Sequence, residues 1–68
     1  MINPKKNDFI KIIESNGSSK YLKEGSFLKV LRVYVHLHDE NRAIIKCVIN
    51  GKIVIVRNWL YKFEIFTN

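Results

Sequence analysis

The sequence predicts an all-β fold, a small and partly open five-stranded barrel formed by residues 9–68 behind a flexible arm of residues 1–8. Three observations predict it. Several short runs are rich in Val and Ile, clusters of Gly, Ser, Asn and Asp separate them, and the dipeptide Asn50-Gly51 stands between two of the runs. The 68 residues suffice for one domain. Because a chain of this size buries only about 60% of the surface that its unfolded form exposes, its stability is expected to be marginal.

The N-terminal part supplies one strand and one long loop. Residues 9–14 form a short run rich in Ile, which predicts a strand rather than a helix. Residues 15–26 contain two Gly and four Ser around the pair Tyr21-Leu22, and this composition is typical of a loop. We expect Tyr21 and Leu22 to cover one end of the core, although a loop of this length is also a common place for a binding site.

Four further strands are predicted, at residues 27–38, 42–49, 52–58 and 63–66. The turns between them are residues 39–41, Asn50-Gly51 and the short segment 59–62. Asn50-Gly51 is the strongest of these signals, because both residue types readily adopt the positive φ angles of a two-residue type I′ turn. Segment 59–62 is too short for a helix and is expected to redirect the chain as a single tight turn.

The register of the two hairpins decides which side chains share a face. A two-residue turn pairs the residues on either side of it and continues the ladder to Ile44 opposite Arg57. An odd-numbered loop at residues 39–41 pairs Leu37 with Ala43. These registers bury the following residues: Leu31, Val33, Val35, Leu37, Ala43, Ile45, Cys47, Ile49, Val54 and Val56. An even-numbered loop would bury the histidines instead, because a shift of one residue moves every side chain of a strand to the other face.

The opposite face of the same three strands collects most of the charged and aromatic residues. Its predicted members are Arg32, Tyr34, His36, His38, Arg42, Lys46 and Arg57 around Ile44, Val48, Ile53 and Ile55. Cations, an aromatic ring and imidazoles on one surface without an acidic residue predict a platform for nucleic acid or for an acidic protein. The alternative is a face that is simply solvated, as one side of an antiparallel sheet commonly is. The branched aliphatic residues on it favour an interface.

The overall charge agrees with such a partner. Twelve Lys and Arg against six Asp and Glu give a net charge of +6 and an isoelectric point near 9.7. This excess favours polyanionic partners, which are nucleic acid, an anionic membrane or an acidic protein surface. A net charge of this size also serves solubility alone.

The sequence predicts a cytoplasmic protein without membrane insertion. Cys47 is the only cysteine, so no internal disulfide can form, and this favours a reducing compartment. Residues 1–8 lack the apolar segment of a signal peptide, and no run approaches the roughly 20 apolar residues of a membrane span.

The pattern argues against an enzyme and against cofactors. The Asp and Glu residues lie mostly at strand ends and turns, which does not predict a catalytic pair. Cys47 is expected in the core, where a thiol is a small apolar group rather than a nucleophile. His36 and His38 point the same way on a strand, but two ligands do not make a metal site. We expect no catalytic residue, no cofactor and no metal.

Trp59 and Tyr61 are two residues apart in the turn before the last strand. One of them is expected in the core. The other is expected to be exposed as a stacking surface for single-stranded nucleic acid or for a peptide. The sequence leaves open which of the two is which.

Several motifs resemble one family along nearly the whole chain. The run from Tyr21 to Val30, the turn Asn50-Gly51-Lys52 and the closing run from Trp59 to Glu64 resemble the small SH3-like domains encoded by tailed bacteriophages. That family typically has a Tyr-x-Val strand and a terminal Arg-Phe-Glu, and residues 27–30 and 62–64 occupy those places here. The resemblance implies an SH3-like barrel and a phage origin, but no settled activity, because a fold does not specify a function. The longer second strand and the basic outer face depart from the family pattern.

Two functions are predicted. The first is a small non-catalytic phage-type module that binds a phosphate backbone through the basic face, using the residues Arg32, Tyr34, His36, Arg42, Lys46 and Arg57. The alternative is a phage accessory protein that binds and inhibits an acidic host protein through the same face, with the affinity carried by aliphatic residues such as Ile44 and Ile55. A homodimer through that face is a third possibility.

Overall fold

The computed structural model of the chain describes residues 3–15, 22–39 and 41–67, and they form one antiparallel sheet of five strands. The strands are β1 (Phe9–Ser15), β2 (Phe27–Val35), β3 (Ala43–Ile49), β4 (Lys52–Arg57) and β5 (Tyr61–Phe66). Their order across the sheet is β4-β3-β2-β1-β5, so the last strand returns to pair with the first. The predicted all-β class and the five strands are confirmed, and these residues include no helix. Strands β4 and β5 are the two edges, so the sheet is not closed.

The hairpin of β3 and β4 has the predicted register. Asn50 and Gly51 have φ angles of 52° and 76°, the positive values that a type I′ turn requires. All the predicted pairs are present, from the residues next to the turn to Ile44 opposite Arg57. The buried residues of this hairpin are Ala43, Ile45, Cys47 and Val56. A local turn signal therefore specified which face of both strands is buried.

Strand β2 differs from the prediction in length and in register. It ends at Val35 instead of at residue 38, and Val35 rather than Leu37 lies opposite Ala43. Val35 and Leu37 are exposed, Leu37 at 89% of its surface, so the prediction that both are core residues is wrong. Val33 does pack against the core as predicted. The physical reason lies in the reversal after β2, where the Asp39 carboxylate accepts the Asn41 N–H and forms a wider turn that carries Leu37 into water.

A β-bulge in β2 also changes which residues face inward. The register shifts between Val30 and Arg32, so that Leu31 has no partner of its own in the ladder. Before the bulge Leu28 and Val30 are buried, whereas Leu31 is only half-buried. The placement of Leu31 in the core is therefore wrong. The bulge lets β2 bend between its two partners, since its first residues pair with β1 and its later residues with β3.

The segment before β1 is tied to β2 by its backbone. The Asn7 N–H donates to the Val30 carbonyl at 2.8 Å, and the Val30 N–H donates to the Asp8 carbonyl at 2.8 Å. The buried Asp8 carboxylate accepts the Lys5 N–H at 2.9 Å and closes a turn. Lys6 therefore lies beside the bulge of β2.

The core is formed by one face of the sheet together with Leu22 of the segment before β2. Its buried members are Ile10, Ile12, Leu22, Leu28, Val30, Ile45, Cys47, Val56 and Tyr61. Leu22 covers the core as predicted, while Tyr21 lies outside the described residues. Of the aromatic pair before the last strand, Tyr61 is the buried member and Trp59 the exposed one, and β5 begins at Tyr61. In the part of the chain that the structure describes, no helix is long and apolar enough to cross a membrane.

Candidate functional site

The outward side chains of β2, β3 and β4 form rows that run across the strands. Arg32 lies opposite Lys46, which lies opposite Ile55. Tyr34 lies opposite Ile44, which lies opposite Arg57. We call this surface the basic face; its members are Lys29, Arg32, Tyr34, His36, Arg42, Ile44, Lys46, Val48, Ile53, Ile55, Arg57 and Trp59. The structure thus brings the predicted site residues of these three strands to one side of the sheet.

The row of Arg32 and Lys46 places two cations directly opposite each other. Like charges in this position destabilise a pair of strands. Lys6 joins them at the rim of an open concavity of about 420 Å³, which is lined by Lys6, Leu31, Arg32, Tyr34 and Lys46. Among the described residues that line it, none is acidic. Such a cluster attracts an anion, because an anion relieves the repulsion between the cations.

The bulge at Leu31 explains how this concavity forms. Without the extra residue, Arg32 would lie on the same face of the sheet as Val30, which is buried. With it, Arg32 and Tyr34 point outward beside Lys46. The Arg32 guanidinium carbon lies 5.6 Å from the centre of the Tyr34 ring, a distance at which cation and ring attract each other.

A second arginine and aromatic ring meet at the end of β3. The Asn58 N–H donates to the Ala43 carbonyl at 3.1 Å and extends the β3–β4 ladder beyond Arg57. Trp59 therefore lies beside Arg42, with the guanidinium carbon 5.3 Å from the centre of the indole ring. The His36 N–H donates to the Arg42 carbonyl at 2.9 Å, so His36 completes this row.

Asp39 brings a carboxylate to the same end, which the sequence did not predict. Its Oδ2 lies 3.6 Å from Nε of Arg42, and both side chains are about half exposed. An ion pair in water contributes about 0 to 1 kcal/mol, so a polyanion can compete for Arg42.

Asn58 holds this end of the basic face together, and sequence reasoning missed it. Its side chain is buried, its Oδ1 accepts the Ala43 N–H at 2.9 Å, and its Nδ2 donates to the Asn41 carbonyl at 3.0 Å. The same Nδ2 reaches Oδ1 of Asn3 at 3.5 Å. A short amide between Arg57 and Trp59 is the signal that could have identified it, since Asn side chains commonly bond to nearby backbone.

The two histidines lie together in water, whereas the cysteine lies in the core. His36 and His38 are exposed, with ring centres 6.2 Å apart, and the His38 N–H donates to Nδ1 of His36 at 3.1 Å. Within the described ranges, no three His, Cys, Asp or Glu side chains are grouped to hold a metal. Cys47 is buried on the core face as predicted, and burial raises the pKa of its thiol to about 12, so the thiol stays neutral at physiological pH.

The other half of the outer surface carries an aromatic cluster that sequence reasoning did not find. Phe9 of β1 lies opposite Phe66 of β5 and opposite Lys29 of β2, and Lys11 of β1 lies opposite Phe27 of β2. The rings of Phe9, Phe27 and Phe66 are exposed at 38%, 51% and 40% of their surfaces. Alternation within each strand places these residues outward, but the pairing of β1 with β5 is not visible in the sequence.

Comparison of the chain with protein-family models, with curated proteins and with solved structures finds no match.

Proposed function

We propose that this protein is a small non-catalytic module that binds nucleic acid through the basic face. The observation that carries the proposal is the cluster of Lys6, Arg32 and Lys46 around an open concavity, with two of these cations directly opposite each other in the sheet. Repulsion between neighbouring cations is a cost to the folded protein, and a phosphate group bound between them removes it. Arg42 and Arg57 extend the positive surface along β3 and β4.

The net charge of +6 supports a polyanion rather than a single small anion. Each phosphate neutralised by Lys or Arg releases condensed counterions, which gives affinity without reading the base sequence. The basic face offers arginine and lysine side chains spread over three strands, and this spacing suits a chain of phosphates. We therefore expect binding with little sequence preference and with a steep dependence on salt.

We also propose that the fold is an SH3-like, partly open barrel similar to the small domains of tailed bacteriophages, and that the protein acts in the host cytoplasm. In β1 the register with β5 shifts between Ile12 and Glu14, as it does in β2 at Leu31. These two bulges support the barrel, because bulges bend strands and are common where a sheet curls. The lone buried thiol of Cys47 suits a reducing compartment.

The test is the salt dependence of binding to a labelled oligonucleotide of mixed sequence, followed by fluorescence anisotropy. The double variant Arg32→Gln, Lys46→Gln should bind more weakly at about 50 mM salt. The slope of log K against log salt should fall by about 0.7 for each lost contact to a single strand and by about 0.9 for a duplex. Lys23→Gln is the matched control, because Lys23 is an exposed lysine in the turn before β2, at the opposite end of that strand from Arg32.

Absence of binding by the unmodified protein at about 50 mM salt would refute the proposal, because phosphate contacts are strongest there. Equal effects of the double variant and of Lys23→Gln would move the binding site away from the basic face.

A second function is supported by the exposed aliphatic side chains in the same rows. Ile44, Ile53 and Ile55 are exposed at 37%, 60% and 41% of their surfaces, and a contiguous apolar patch of this kind is typical of a protein interface. The partner would be an acidic host protein that the module inhibits. A pull-down from host lysate with nuclease added separates the two functions, because only a protein complex survives nuclease. In that case Ile55→Glu should abolish capture.

A further inference from the structure

The three exposed phenylalanines lie on the same continuous outer surface as the basic face. In β2, Phe27 and Lys29 point outward before the bulge, and Arg32 points outward after it. Lys29 lies opposite Val48 on one side and opposite Phe9 on the other. One row therefore crosses all five strands, in the order Ile53, Val48, Lys29, Phe9 and Phe66. Lys29 joins the aromatic cluster to the cations.

The rings of the cluster gather above β1. Phe27 of β2 lies opposite Lys11 and Phe66 of β5 lies opposite Phe9, so their backbones are separated by at least two strand spacings of about 4.8 Å each. Their ring centres nevertheless lie 5.3 Å apart, with the ring planes inclined at 41°. Both side chains must lean over β1 toward each other. The ammonium group of Lys11 lies 5.9 Å from the centre of the Phe27 ring.

The charges around the cluster are mixed but contain the cations that a phosphate needs. Lys11 and Lys29 flank the rings, and Glu64 lies opposite Lys11 on β5. Farther along β1, Oε2 of Glu14 forms an ion pair with Nζ of Lys62 at 3.4 Å. The phosphates of a bound strand would therefore follow Lys29 and the basic face, while the rings of the cluster remain open to the bases.

We propose that Phe9, Phe27 and Phe66 form a base-stacking surface and that the ligand of this protein is single-stranded nucleic acid. The inference rests on the proposed nucleic-acid function and names its substrate class. Phenylalanine has no hydrogen-bonding group, so it contributes to nucleic-acid binding by stacking on the face of a base. Base faces are covered in a duplex and available in a single strand. Such stacking tolerates every base, which agrees with binding that has little sequence preference.

Without such a ligand, the three exposed phenylalanine rings would only lower the stability of the protein. Each exposes a large apolar ring to water in a chain that has few residues with which to build its core. Apolar rings beside lysines also fit the surface of an anionic membrane. The rings and the cations of the basic face share one surface that crosses all five strands, which favours a long flexible polyanion, because such a ligand carries both bases and phosphates along its length.

The experiment compares four probes with the full chain at one salt concentration. They are a single-stranded DNA of about 12 nucleotides, the RNA of the same sequence, the matching duplex, and vesicles that mix neutral and anionic phospholipid. A length of about 12 nucleotides is within the site size of a small barrel domain. The variants are Phe27→Leu and Phe66→Leu, which keep an apolar side chain and remove the ring. Phe27→Trp restores a ring. Leu37→Ala is the control, because Leu37 is an exposed apolar residue outside the cluster. Circular dichroism shows that each variant is folded.

The single strands should bind more tightly than the duplex. Each leucine variant should lose about 5- to 150-fold in affinity for a single strand, the range of one stacked base. The salt slope should stay unchanged, since no phosphate contact is lost. Phe27→Trp and Leu37→Ala should bind like the unmodified protein.

Each opposing result identifies what has failed. If no probe binds, the nucleic-acid function and this inference fall together. If the duplex binds as well as the single strands, only the base-stacking surface is refuted. The same holds if the leucine variants bind normally while the double variant Arg32→Gln, Lys46→Gln binds weakly. Binding to anionic vesicles that the leucine variants lose, without preference for a single strand, would make the cluster a membrane contact and overturn the inference.

Discussion

Replacing Asn58 by alanine should strongly destabilise the protein, because its buried side chain bonds to the backbone on both sides of Arg42. The variant leaves the Ala43 N–H, which is fully buried, without the Oδ1 acceptor that it now reaches at 2.9 Å. An unsatisfied buried donor costs about 1 to 3 kcal/mol. The 3.0 Å bond from Nδ2 to the Asn41 carbonyl is lost as well, at about 0.5 to 1.5 kcal/mol. The free energy of unfolding should fall by about 1.5 to 4.5 kcal/mol.

That loss is large for this chain. At about 0.05 to 0.15 kcal/mol per residue, the whole domain has a free energy of unfolding of roughly 3 to 10 kcal/mol. For a domain of this size, 1 kcal/mol shifts the melting temperature by about 4 to 8 °C, so Asn58→Ala should melt roughly 6 to 36 °C lower. Urea and thermal unfolding followed by circular dichroism measure both quantities.

Asn3→Ala is the matched control, because Asn3 meets the same Nδ2 only at 3.5 Å. Its free energy of unfolding should lie within about 0.5 kcal/mol of the unmodified protein. If Asn58→Ala also lay within that range, with an unchanged urea dependence, the buried amide would not hold β3 to the segment after β4. The position of Arg42 beside Trp59 would then need another cause.

The thiol, the Asn50-Gly51 turn and the core each allow a direct test. Because burial raises the pKa of Cys47 to about 12 from 9.0, iodoacetamide should label the thiol near neutral pH only after unfolding, and rapid labelling of the native protein would contradict this. The unfolded thiol releases its proton at a lower pH than the folded one, so this group lowers the free energy of unfolding as pH rises from about 9 toward 12. In urea titrations at different pH values, the free energy of unfolding of Cys47→Ala should fall less with rising pH than that of the unmodified protein. Gly51→Ala should cost about 1 kcal/mol in a thermal melt, since φ is +76° and an added Cβ meets no atom within 4 Å; an unchanged melt would exclude backbone strain. Ile45→Ala should lower the free energy of unfolding by about 2 to 5 kcal/mol, because Ile45 is fully buried. Ile53→Ala should lower it by less than about 1 kcal/mol, because Ile53 is 60% exposed. Equal losses in urea unfolding would contradict the assigned faces.

Where a local signal existed, the prediction from sequence was accurate. Asn50-Gly51 specified a type I′ turn, and the turn set the pairing of β3 with β4 without help from the rest of the chain. Alternation within these strands then assigned Lys46 and Arg57 to one face and Cys47 to the other.

In strand β2, alternation was not enough to predict which residues face the core. Val30 and Leu31 are neighbouring aliphatic residues, and neither alternation nor propensity says which of them faces inward. Their roles were decided by the bulge, which lies where β2 passes from pairing with β1 to pairing with β3 alone. The same bulge places Arg32 opposite Lys46 and opens the concavity beside Lys6, so the centre of the proposed site was only partly predictable.

Periodicity and the conformational preferences of adjacent residues are enough to predict the all-β class, the hairpin at Asn50-Gly51 and the outward position of most of the cations. Whether Tyr61 or Trp59 is buried, and whether Phe9, Phe27 and Phe66 share one surface, depends on how the strands pack together. Contacts between β1 and β5 join residues from opposite ends of the chain. Such contacts are selected by the burial of a shared core and not by any preference that the residues have on their own.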